Sequence, residues 1–479
     1  MQFCIFDLTF FCVFDHWQQG PLLITMLRSL RRSAVRTLVG GSLVVAGLEV
    51  TTRLPSEGRS SRLYHRIADE VVTPLLRLLP PELAHHAALR LSWLSPTYRP
   101  SVAEQRVQWS QTLFENQQSK TIIEHPIGLA AGFDKNGTII QPMLDLGFAF
   151  VEIGTVTPQP QPGNPQPRLF RLREDRALIN RYGFNSEGME QVAQHLAEFR
   201  KEQQTQHQKH FSATSLYHWL YPNIASKGLV GVNLGKNKST SQEDAANDYS
   251  RGILTLGPLA DYLVVNISSP NTPNLRDLQQ TESLKPLLLA CLQARNQLET
   301  PVPLLVKVAP DLSDAQLEEI ARLCLELQID GLIVANTTNV RPDDLLSPQK
   351  FESGGLSGRP LRDRSTDAIR RLYAATGGQL VIVGVGGIES GMDAYEKFKA
   401  GASLVQVYSA LVYQGPGLVS RLRRELAQEL LDHGQRSIQD VIGLDHEDIH
   451  WKKQQEQVKT LQKRKSGLLL RDGDDEDES

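Results

Sequence analysis

The chain has 479 residues, a formal net charge of −3, and 22% charged residues. It is too long for one small domain, but it can hold a barrel of about 250 residues with appended segments. The weak net charge argues against nucleic acid as a partner. The four cysteines (Cys4, Cys12, Cys291 and Cys324) show no CxxC or metal-ligand spacing. We therefore predict no disulfide framework, no metal site, and ordinary buried thiols at Cys291 and Cys324.

Residues 1–60 differ in composition from the rest of the chain. No acidic residue occurs from Pro21 to Leu48, whereas arginine recurs in that stretch at Arg28, Arg31, Arg32 and Arg36. This composition predicts a mitochondrial targeting segment. The alternative is a cleaved secretory signal in which the same arginines form the positively charged start.

A short apolar run, residues 37–48, follows the arginines. A helix that spans a bilayer needs ~20 apolar residues, so this run, extended to Thr52, is a candidate membrane anchor only if it is thin or tilted. Asp7 and Asp15 do not suit the start of a presequence. Met26 is therefore the better candidate for the initiating residue.

Residues 61–98 have the pattern of two amphipathic helices separated by Pro80 and Pro81. Apolar residues recur at helical spacing on both sides of the break, at Leu63, Ile67, Val71, Leu75 and Leu78, then at Leu83, Ala87, Leu91 and Leu94. Val72, Leu76 and Leu79 widen the apolar surface. Two interpretations stay open: a hairpin packed on the core, or an entrance beside a membrane for a lipophilic molecule.

From residue 126 onward, short apolar runs alternate with helical patterns. Eight such runs occur: Ile127–Ala131, Phe150–Ile153, Leu229–Asn233, Tyr262–Asn266, Leu304–Val308, Gly331–Ala335, Leu380–Gly384 and Leu404–Tyr408. Eight strand–helix units predict an α/β fold, a (β/α)8 TIM barrel over residues 110–435. The functional residues of such a barrel lie at the carboxyl ends of its strands.

Polar residues follow several of these runs, most densely in Asn266-Ile-Ser-Ser-Pro-Asn-Thr272. Asparagine offers a donor and an acceptor together, which suits a cyclic imide or amide ligand. Considered alone, this segment could equally be a helix cap after a strand. Polar residues at the ends of the other strands, such as Lys135, Asn233, Lys307 and Asn336, favour a binding site.

The last two strands carry a different signal. Gly384-Val-Gly-Gly-Ile388 and the pair Tyr408-Ser409 are of the kind that binds phosphate after strands seven and eight of a barrel. A glycine-rich loop alone is more often a tight turn. A second glycine-rich element, 354–358, precedes a helix that we expect to begin near Pro360. The lack of GxGxxG after the first strand disfavours a Rossmann site for NAD.

Together these residues resemble the dihydroorotate dehydrogenases, specifically the membrane-associated, quinone-dependent class 2 enzymes. The resemblance spans roughly Leu63 to Leu431 and rests on the motifs AAGFDKNG, VTPQPQPGNPQPR, NRYGFNS, VNLGKNK, NISSPNTPNLR, VKVAPDL, ANTT, GGLSGRPL and GVGGI. It implies a barrel that binds FMN (flavin mononucleotide), oxidises dihydroorotate to orotate in pyrimidine synthesis, and passes electrons to ubiquinone. It also implies a two-helix quinone-access domain at 61–98, contact with inner-membrane lipid, a mitochondrial inner-membrane location, and a monomer.

The resemblance also implies the catalytic residues. Ser269 stands at the position of the base that removes a proton, where the soluble class 1 enzymes carry cysteine. FMN takes the hydride, and Lys307 stabilises negative charge on the reduced flavin. Thr272 and Phe184 correspond to family residues beside the path by which the proton leaves. Serine is a weak base without such help.

The remaining site residues are carried over position by position. The resemblance implies that FMN contacts Ala130, Ala131, Gly132, Thr155, Asn233, Asn266, Lys307, Ala335, Gly358, Gly387, Tyr408 and Ser409. It implies that substrate contacts Lys135, Asn180, Tyr182, Phe184, Asn266, Asn271, Asn336 and Thr337. The implied quinone tunnel is lined by Leu75, Leu76, His85, Arg171, Tyr408 and Pro416. Ala335 stands where relatives commonly carry threonine, at an FMN contact that can be made by the backbone. Leu76 and Val412 stand where some relatives carry glutamine and threonine, which bears on quinone affinity and inhibitor response rather than on the chemistry.

Two segments fall outside this pattern. Residues 201–227 are an insertion rich in glutamine and histidine, which we interpret as a surface loop rather than a metal site. Residues 446–479 are rich in lysine and glutamine and then almost wholly acidic, which predicts a disordered tail.

Three rival functions differ in their expected signals. Ser269 and the apolar helices speak against a class 1-like flavin dehydrogenase that uses fumarate or NAD. A flavin-dependent tRNA reductase should carry a basic face and an RNA-binding appendage, which the sequence lacks. A barrel that retains FMN only as a scaffold is disfavoured by the presence of Ser269, Lys307 and Lys135.

Overall fold

The computed structural model describes residues 59–115, 120–211 and 228–449. The predicted targeting segment and candidate anchor within residues 1–58 lie outside the described residues, as does the tail from residue 450. All the features below belong to one structural unit, Ser61–Ser479, apart from the first two residues of its first helix.

Helices and strands alternate along the described chain. The strands are β1 Gln111–Glu115, β2 Lys120–Ile123, β3 Ile127–Leu129, β4 Phe150–Val156, β5 Leu169–Leu172, β6 Ala177–Asn180, β7 Leu229–Leu234, β8 Tyr262–Asn266, β9 Leu304–Val308, β10 Gly331–Val334, β11 Gly355–Gly358, β12 Val381–Val385 and β13 Leu404–Val407. The α-helices are α1 Arg59–Ile67, α2 Thr73–Leu76, α3 Pro81–Leu91, α4 Ile140–Asp145, α5 Met189–Phe211, α6 Ala245–Leu256, α7 Thr281–Arg295, α8 Asp314–Glu326, α9 Arg362–Ala375, α10 Gly391–Lys399, α11 Ser409–Gln414 and α12 Gly417–Asp432.

Eight parallel strands close into a barrel, which confirms the predicted (β/α)8 fold. Their order around the barrel is β3, β4, β7, β8, β9, β10, β12 and β13, and β13 pairs with β3 to complete the circle. Each predicted apolar run overlaps one of these strands. The runs are continuous rather than alternating because helices cover the outside of the barrel and side chains fill its inside.

Alternation within the strands divides the barrel interior into layers. Phe150, Leu305 and Leu404 belong to an apolar cluster with Tyr262 and Ile333. Two residues further along β4, β9 and β13, the inward positions carry Glu152, Lys307 and Gln406, all buried. Because successive inward residues are two apart, a polar layer lies directly above the apolar one.

Two smaller sheets were not predicted. β1 and β2 form an antiparallel pair, while β5, β6 and β11 form a three-stranded antiparallel sheet with its own apolar cluster. Asn180 ends β6 and pairs with Gly355 of β11. The glycine-rich segment before Pro360 is therefore a strand. Its sequence lacks the β-branched and aromatic residues that usually signal one.

The predictions for the insertion at 201–227 and for the tail at 446–479 are corrected in part. The prediction of a surface loop at 201–227 is wrong for residues 201–211, which continue helix α5. Glutamine, glutamate and lysine favour helices as well as loops, so composition alone did not separate the two. Residues 212–227 lie outside the described residues. At the other end, His446 is folded against the barrel, its ring 5.0 Å from that of Tyr373.

The N-terminal helices present two apolar faces. A π-helical turn, Ala68–Val72, joins α1 to α2, and Asp69 in it accepts a hydrogen bond from the Gly417 amide at 2.9 Å. On the barrel side, Tyr64, Ala68, Val72 and Leu76 are among the residues that line a cavity. The stripe that we singled out points the other way, with exposed side chains at Leu63, Val71, Leu75 and Leu78. No helix within 59–115, 120–211 or 228–449 has the length and apolar character to cross a bilayer.

Candidate active site

A cleft of about 1160 Å³ opens at the carboxyl ends of the barrel strands, a volume that includes its open mouth. It brings together most of the predicted residues from strands distant in sequence. Those lining it are Ala130, Ala131, Gly132, Lys135, Thr155, Asn180, Tyr182, Phe184, Asn266, Ser269, Asn271, Lys307, Ala335, Asn336, Thr337, Gly358, Gly387, Tyr408 and Ser409.

Two predicted residues do not line this cleft. Asn233 is fully buried and accepts hydrogen bonds from Thr155 Oγ1 at 2.6 Å and Asn266 Nδ2 at 2.9 Å. It therefore orients two lining residues instead of forming the wall itself. Thr272 is also buried, and its hydroxyl has no hydrogen-bond partner within the described residues.

A buried polar layer forms the floor of the cleft. Glu152, 0% exposed, accepts hydrogen bonds from Lys307 Nζ at 3.3 Å, Asn233 Nδ2 at 2.8 Å and Gln406 Nε2 at 2.6 Å. Its charge offsets that of Lys307, which makes the burial of either group tolerable. Sequence reasoning missed Glu152 and Gln406. The available signal was a charged or amide residue two positions after an inward-facing apolar residue.

Ser269 lies among amide side chains at one side of the cleft. It is 6% exposed, and its hydroxyl oxygen accepts a hydrogen bond from the Asn271 amide at 3.3 Å. Asn271 Nδ2 donates to Asn180 Oδ1 at 3.1 Å, and Asn336 Nδ2 donates to Ser268 Oγ at 3.0 Å. These links fix the amides around a region rich in both donors and acceptors, which suits a ring with alternating N–H and C=O groups.

Lys135 supplies a positive charge to the same cleft. Its Nζ donates to the Gly132 carbonyl at 2.8 Å and lies 4.3 Å from the centre of the Tyr182 ring. Burial lowers the pKa of Lys135 to about 8, while the carboxylate of Glu82 acts in the opposite direction. Glu82 itself is paired with Arg168 at 2.7 Å. A lysine with few competing partners is well placed to bind a carboxylate.

Several glycines also line the cleft, among them Gly358 and Gly387. Gly358 and Gly387 have φ angles of 95° and 70°, which side chains other than that of glycine adopt only under strain. A Cβ atom on Gly387 would lie 2.5 Å from Arg362 Cα, so the loop packs closely on α9. Beside it, Ser357 Oγ and Ser409 Oγ lie 2.8 Å apart.

These surroundings fit FMN. Glycine amides and serine hydroxyls suit a phosphate group, while the polar floor suits the amide edge of a flavin ring. Gln406 Oε1 and Thr337 Oγ1 are buried and lack partners within the described residues, so the cleft retains free hydrogen-bonding groups. A bound polar ring would offset the cost of leaving such groups unpaired.

A second cavity, of about 1010 Å³ with its open part, lies between the N-terminal helices and the barrel. Leu76, His85, Arg171, Tyr408 and Pro416 line it, as expected of the predicted tunnel residues. Leu75 does not line it. Its side chain is 58% exposed because the π-helical turn and α2 direct Leu76, rather than its neighbour, toward the barrel.

The two cavities share the side chains of Leu169, Leu178 and Tyr408. The Phe133 ring lines the second cavity and lies 5.2 Å from the His85 ring and 5.7 Å from the Tyr408 ring. Burial keeps the pKa of His85 well below its ordinary value, with Lys135 adding to the effect, so its imidazole is neutral near pH 7. The second cavity is thus mostly apolar, uncharged at His85, and separated from the first by one layer of side chains.

Known proteins resemble this chain closely. The dihydroorotate dehydrogenase family profile matches residues 116–430. A dihydroorotate dehydrogenase (quinone) of Rhodospirillum rubrum is 48% identical over 380 residues, which cover 78% of this chain and 94% of that protein. The mitochondrial dihydroorotate dehydrogenase (quinone) of Mus musculus is 46% identical over 424 residues, which cover 88% of this chain and 99% of that protein.

Solved structures agree with these matches. The dihydroorotate dehydrogenase of Eimeria tenella in complex with ferulenol superposes with a TM-score of 0.68 at 39% identity, covering 76% of this chain and 96% of that one. Because the family match and these relatives extend across the barrel that forms both cavities, this chain belongs to the dihydroorotate dehydrogenase family, in its quinone-dependent class.

Proposed function

We propose that this chain oxidises dihydroorotate to orotate at Ser269 and delivers the electrons to ubiquinone in the second cavity. The reaction of the family's quinone-dependent class is this oxidation, a step of pyrimidine biosynthesis, with FMN and a quinone as electron carriers. The observation that carries the residue-level proposal is the pair of adjacent cavities, one polar and one apolar, which share Tyr408.

FMN would be held by the backbone of Ala130, Ala131, Gly132, Gly358 and Gly387, and by Thr155, Asn266, Lys307, Tyr408 and Ser409. When bound, FMN accepts a hydride from the substrate and passes electrons onward to the quinone. Lys307 supplies positive charge at the polar floor, and Glu152 holds its ammonium in place through the 3.3 Å contact. Ala335 contributes backbone only, since its side chain is a methyl group.

The substrate would bind between Lys135 and the amides of Asn180, Asn266, Asn271 and Asn336. Lys135 binds the carboxylate, while the amides and Thr337 bind the ring's N–H and C=O groups. Ser269 then removes the proton from the carbon next to the one that loses a hydride. Thr272 and Phe184 flank the route by which that proton leaves Ser269. Tyr182, against Lys135, keeps the ammonium in position.

Substrate binding should weaken at high pH through Lys135. The pKa of its free ammonium is about 8, so Lys135 is charged below pH 8 and neutral above it. We expect the dissociation constant for orotate to be constant below pH 8 and to rise by up to ~tenfold per pH unit above it. Flavin absorbance changes on titration with orotate measure this. Lys135→Arg should remove the rise, and a wild-type constant that stays level to pH 9.5 would contradict the role of Lys135.

The overall proposal is tested by following the flavin absorbance of the full chain without oxygen. Dihydroorotate should bleach the flavin, and a short-chain ubiquinone should then restore its colour. If the colour returned with fumarate or NAD but not with ubiquinone, dihydroorotate would stand as the substrate and ubiquinone would be rejected as the electron acceptor. A flavin that dihydroorotate does not bleach would reject the substrate.

We also propose that α1–α3 rest on a membrane, with the second cavity opening toward the lipid. The N-terminal helical segment exposes six large apolar side chains: Leu63, Val71, Leu75, Leu78, Leu83 and Trp93. An apolar area of this kind, beside a cavity for a lipophilic molecule, suits shallow insertion at a bilayer surface. Mitochondrial targeting by residues 1–60, an inner-membrane location, and a monomeric state remain parts of this proposal. Mitochondrial relatives in animals and plants support the location.

Two exposed leucines test the membrane contact. We expect Leu75→Glu combined with Leu78→Glu to lower partitioning of the full chain onto phosphatidylcholine vesicles by at least ~30-fold, because charges replace two leucines that would insert into the lipid. Vesicle sedimentation measures this. Leu289→Glu is the matched control, since Leu289 is exposed on a barrel helix. Unchanged sedimentation of the double variant would rule out this face as the contact.

A further inference from the structure

Lys397 is a fully buried lysine to which neither cavity gives a role. It lies on α10, and its side chain is 0% exposed. Its Nζ donates to Ser365 Oγ at 2.6 Å, to Thr366 Oγ1 at 2.9 Å and to the Arg362 carbonyl at 3.4 Å. All of its hydrogen bonds thus go to neutral oxygens at the start of α9.

This charge has no direct counter-ion. Within the described residues, no carboxylate lies within 4.0 Å of Lys397 Nζ. The nearby Asp393 is instead bonded to Arg362 Nη1 at 3.1 Å, to Ser390 Oγ and to the Glu389 amide. Burial lowers the pKa of Lys397 to about 7, with Asp393 and Asp363 opposing that change. Near neutral pH both the charged and the neutral form of Lys397 are therefore populated, and an anion bound close by would favour the charged form.

Ser365 links Lys397 to the glycine loop at the first cavity. Ammonium only donates, so Ser365 Oγ accepts from Lys397 and turns its single hydrogen toward carbonyl oxygens. Two carbonyls are within reach, that of Arg362 at 3.0 Å and that of Gly386 at 3.2 Å, and Gly386 lines the cleft. In the same planar trans peptide, the N–H of Gly387 points the opposite way from that carbonyl.

The Gly387 amide is therefore turned away from Ser365. Within the part of the chain that the structure describes, it has no hydrogen-bond acceptor, and Gly387 lines the cleft. Gly384, one strand position below the loop, leaves room for the lysine stem: a Cβ there would lie 3.3 Å from Lys397 Cδ. The loop thus presents a free donor on one side and is held by a buried cation on the other.

We propose that Lys397 is a positioning residue for the phosphate group of FMN: through Ser365 it orients the Gly386–Gly387 peptide, and its charge lies behind the loop that binds the anion. This inference rests on the proposed FMN site. It makes Lys397 a determinant of selectivity for a phosphorylated flavin over an unphosphorylated one. Lys397 touches neither substrate nor flavin, so it acts on flavin binding and not on the chemical step.

The test compares FMN with riboflavin, which lacks the phosphate. The full chain is freed of flavin by dialysis and titrated with each at pH 7, and quenching of flavin fluorescence gives the dissociation constants. Lys397→Met should weaken FMN binding by about tenfold or more, because one charge near the phosphate is lost, while riboflavin binding changes by less than about threefold. Methionine keeps an unbranched stem in the same channel. Lys399→Met is the matched control, since Lys399 lies on the same helix but pairs with Glu396 and Asp445.

The outcomes separate this inference from the proposed function. A wild type that prefers FMN, with a Lys397→Met variant that keeps the same preference or weakens both flavins equally, would overturn the role of Lys397 alone. A wild type that binds the two flavins equally would reject the phosphate site and this role with it. If Lys397→Met loses its folded circular dichroism spectrum, Ser365→Ala gives the same comparison. It should weaken FMN selectively, because the Gly386 carbonyl loses its donor.

Discussion

Replacing Ser269 by alanine is expected to slow the reduction of the bound flavin by dihydroorotate by at least ~100-fold, the usual cost of losing a general base. The hydroxyl of Ser269 is the group that we assign to proton removal, and its only hydrogen-bond contact within the described residues is the Asn271 amide at 3.3 Å. The substitution removes one oxygen and leaves the amides around it linked to each other. Anaerobic stopped-flow absorbance of the flavin measures the rate directly.

The same experiment includes its own controls. Ser269→Cys should recover part of the rate as pH rises, because a thiolate can take the place of the hydroxyl as base. Reoxidation of the reduced flavin by ubiquinone should be unchanged in Ser269→Ala, since the second cavity is intact. Reduction at a near-normal rate in the alanine variant would show that another group removes the proton.

Filling the second cavity is expected to have a large effect on the other half-reaction. Ala88 lines that cavity on α3, and a tryptophan there would occupy much of the space that a quinone ring needs. We expect Ala88→Trp to lower kcat/KM for ubiquinone by ~100-fold and to change the rate of flavin reduction by dihydroorotate by less than ~twofold. Steady-state quinone reduction and stopped-flow flavin reduction separate the two effects.

Leu83→Trp is the matched control for this prediction. Leu83 lies on the same helix, but its side chain is exposed, so a tryptophan there adds the same bulk outside the cavity. Equal loss of quinone reduction in both variants would mean that a tryptophan at either position disturbs the helices, and that the loss does not come from filling the cavity. A deletion of the whole helical segment is a poorer test, because it would also remove Glu82, which forms a 2.7 Å ion pair with Arg168.

The barrel was predictable because its signals are local and repeated. Each parallel strand, such as Tyr262–Asn266, is buried on both faces and so appears as a continuous apolar run. The β5–β6–β11 sheet was not predictable in the same way. Its strands are four residues long. β5 and β6 are neighbours in sequence, but the third strand, Gly-Leu-Ser-Gly, pairs with β6 about 180 residues away.

The cleft residues also divide into those that local sequence predicted and those that depend on distant partners. Asn266 ends an apolar run and Ser269 lies just after it, so both were found from that position, whereas Lys307 was found inside the run Leu304–Val308. Glu152 lies within an apolar run, and its role depends on contacts with Asn233, Lys307 and Gln406 from three other strands. Thr272 and Asn233 were assigned by resemblance, yet the barrel places them behind the cleft wall.

The sequence by itself determined the barrel, the polar strand ends, the glycine loop after the seventh barrel strand, and the presence of two apolar helices, because these depend on neighbours within a few residues. Only the tertiary structure decided which helix face meets the barrel. The π-helical turn at Ala68–Val72 sets the register, so Leu76 enters the cavity while Leu75 remains exposed. It also decided where Lys397 lies, because a lysine on an amphipathic helix is expected in water until packing places it behind the Gly386–Gly387 loop.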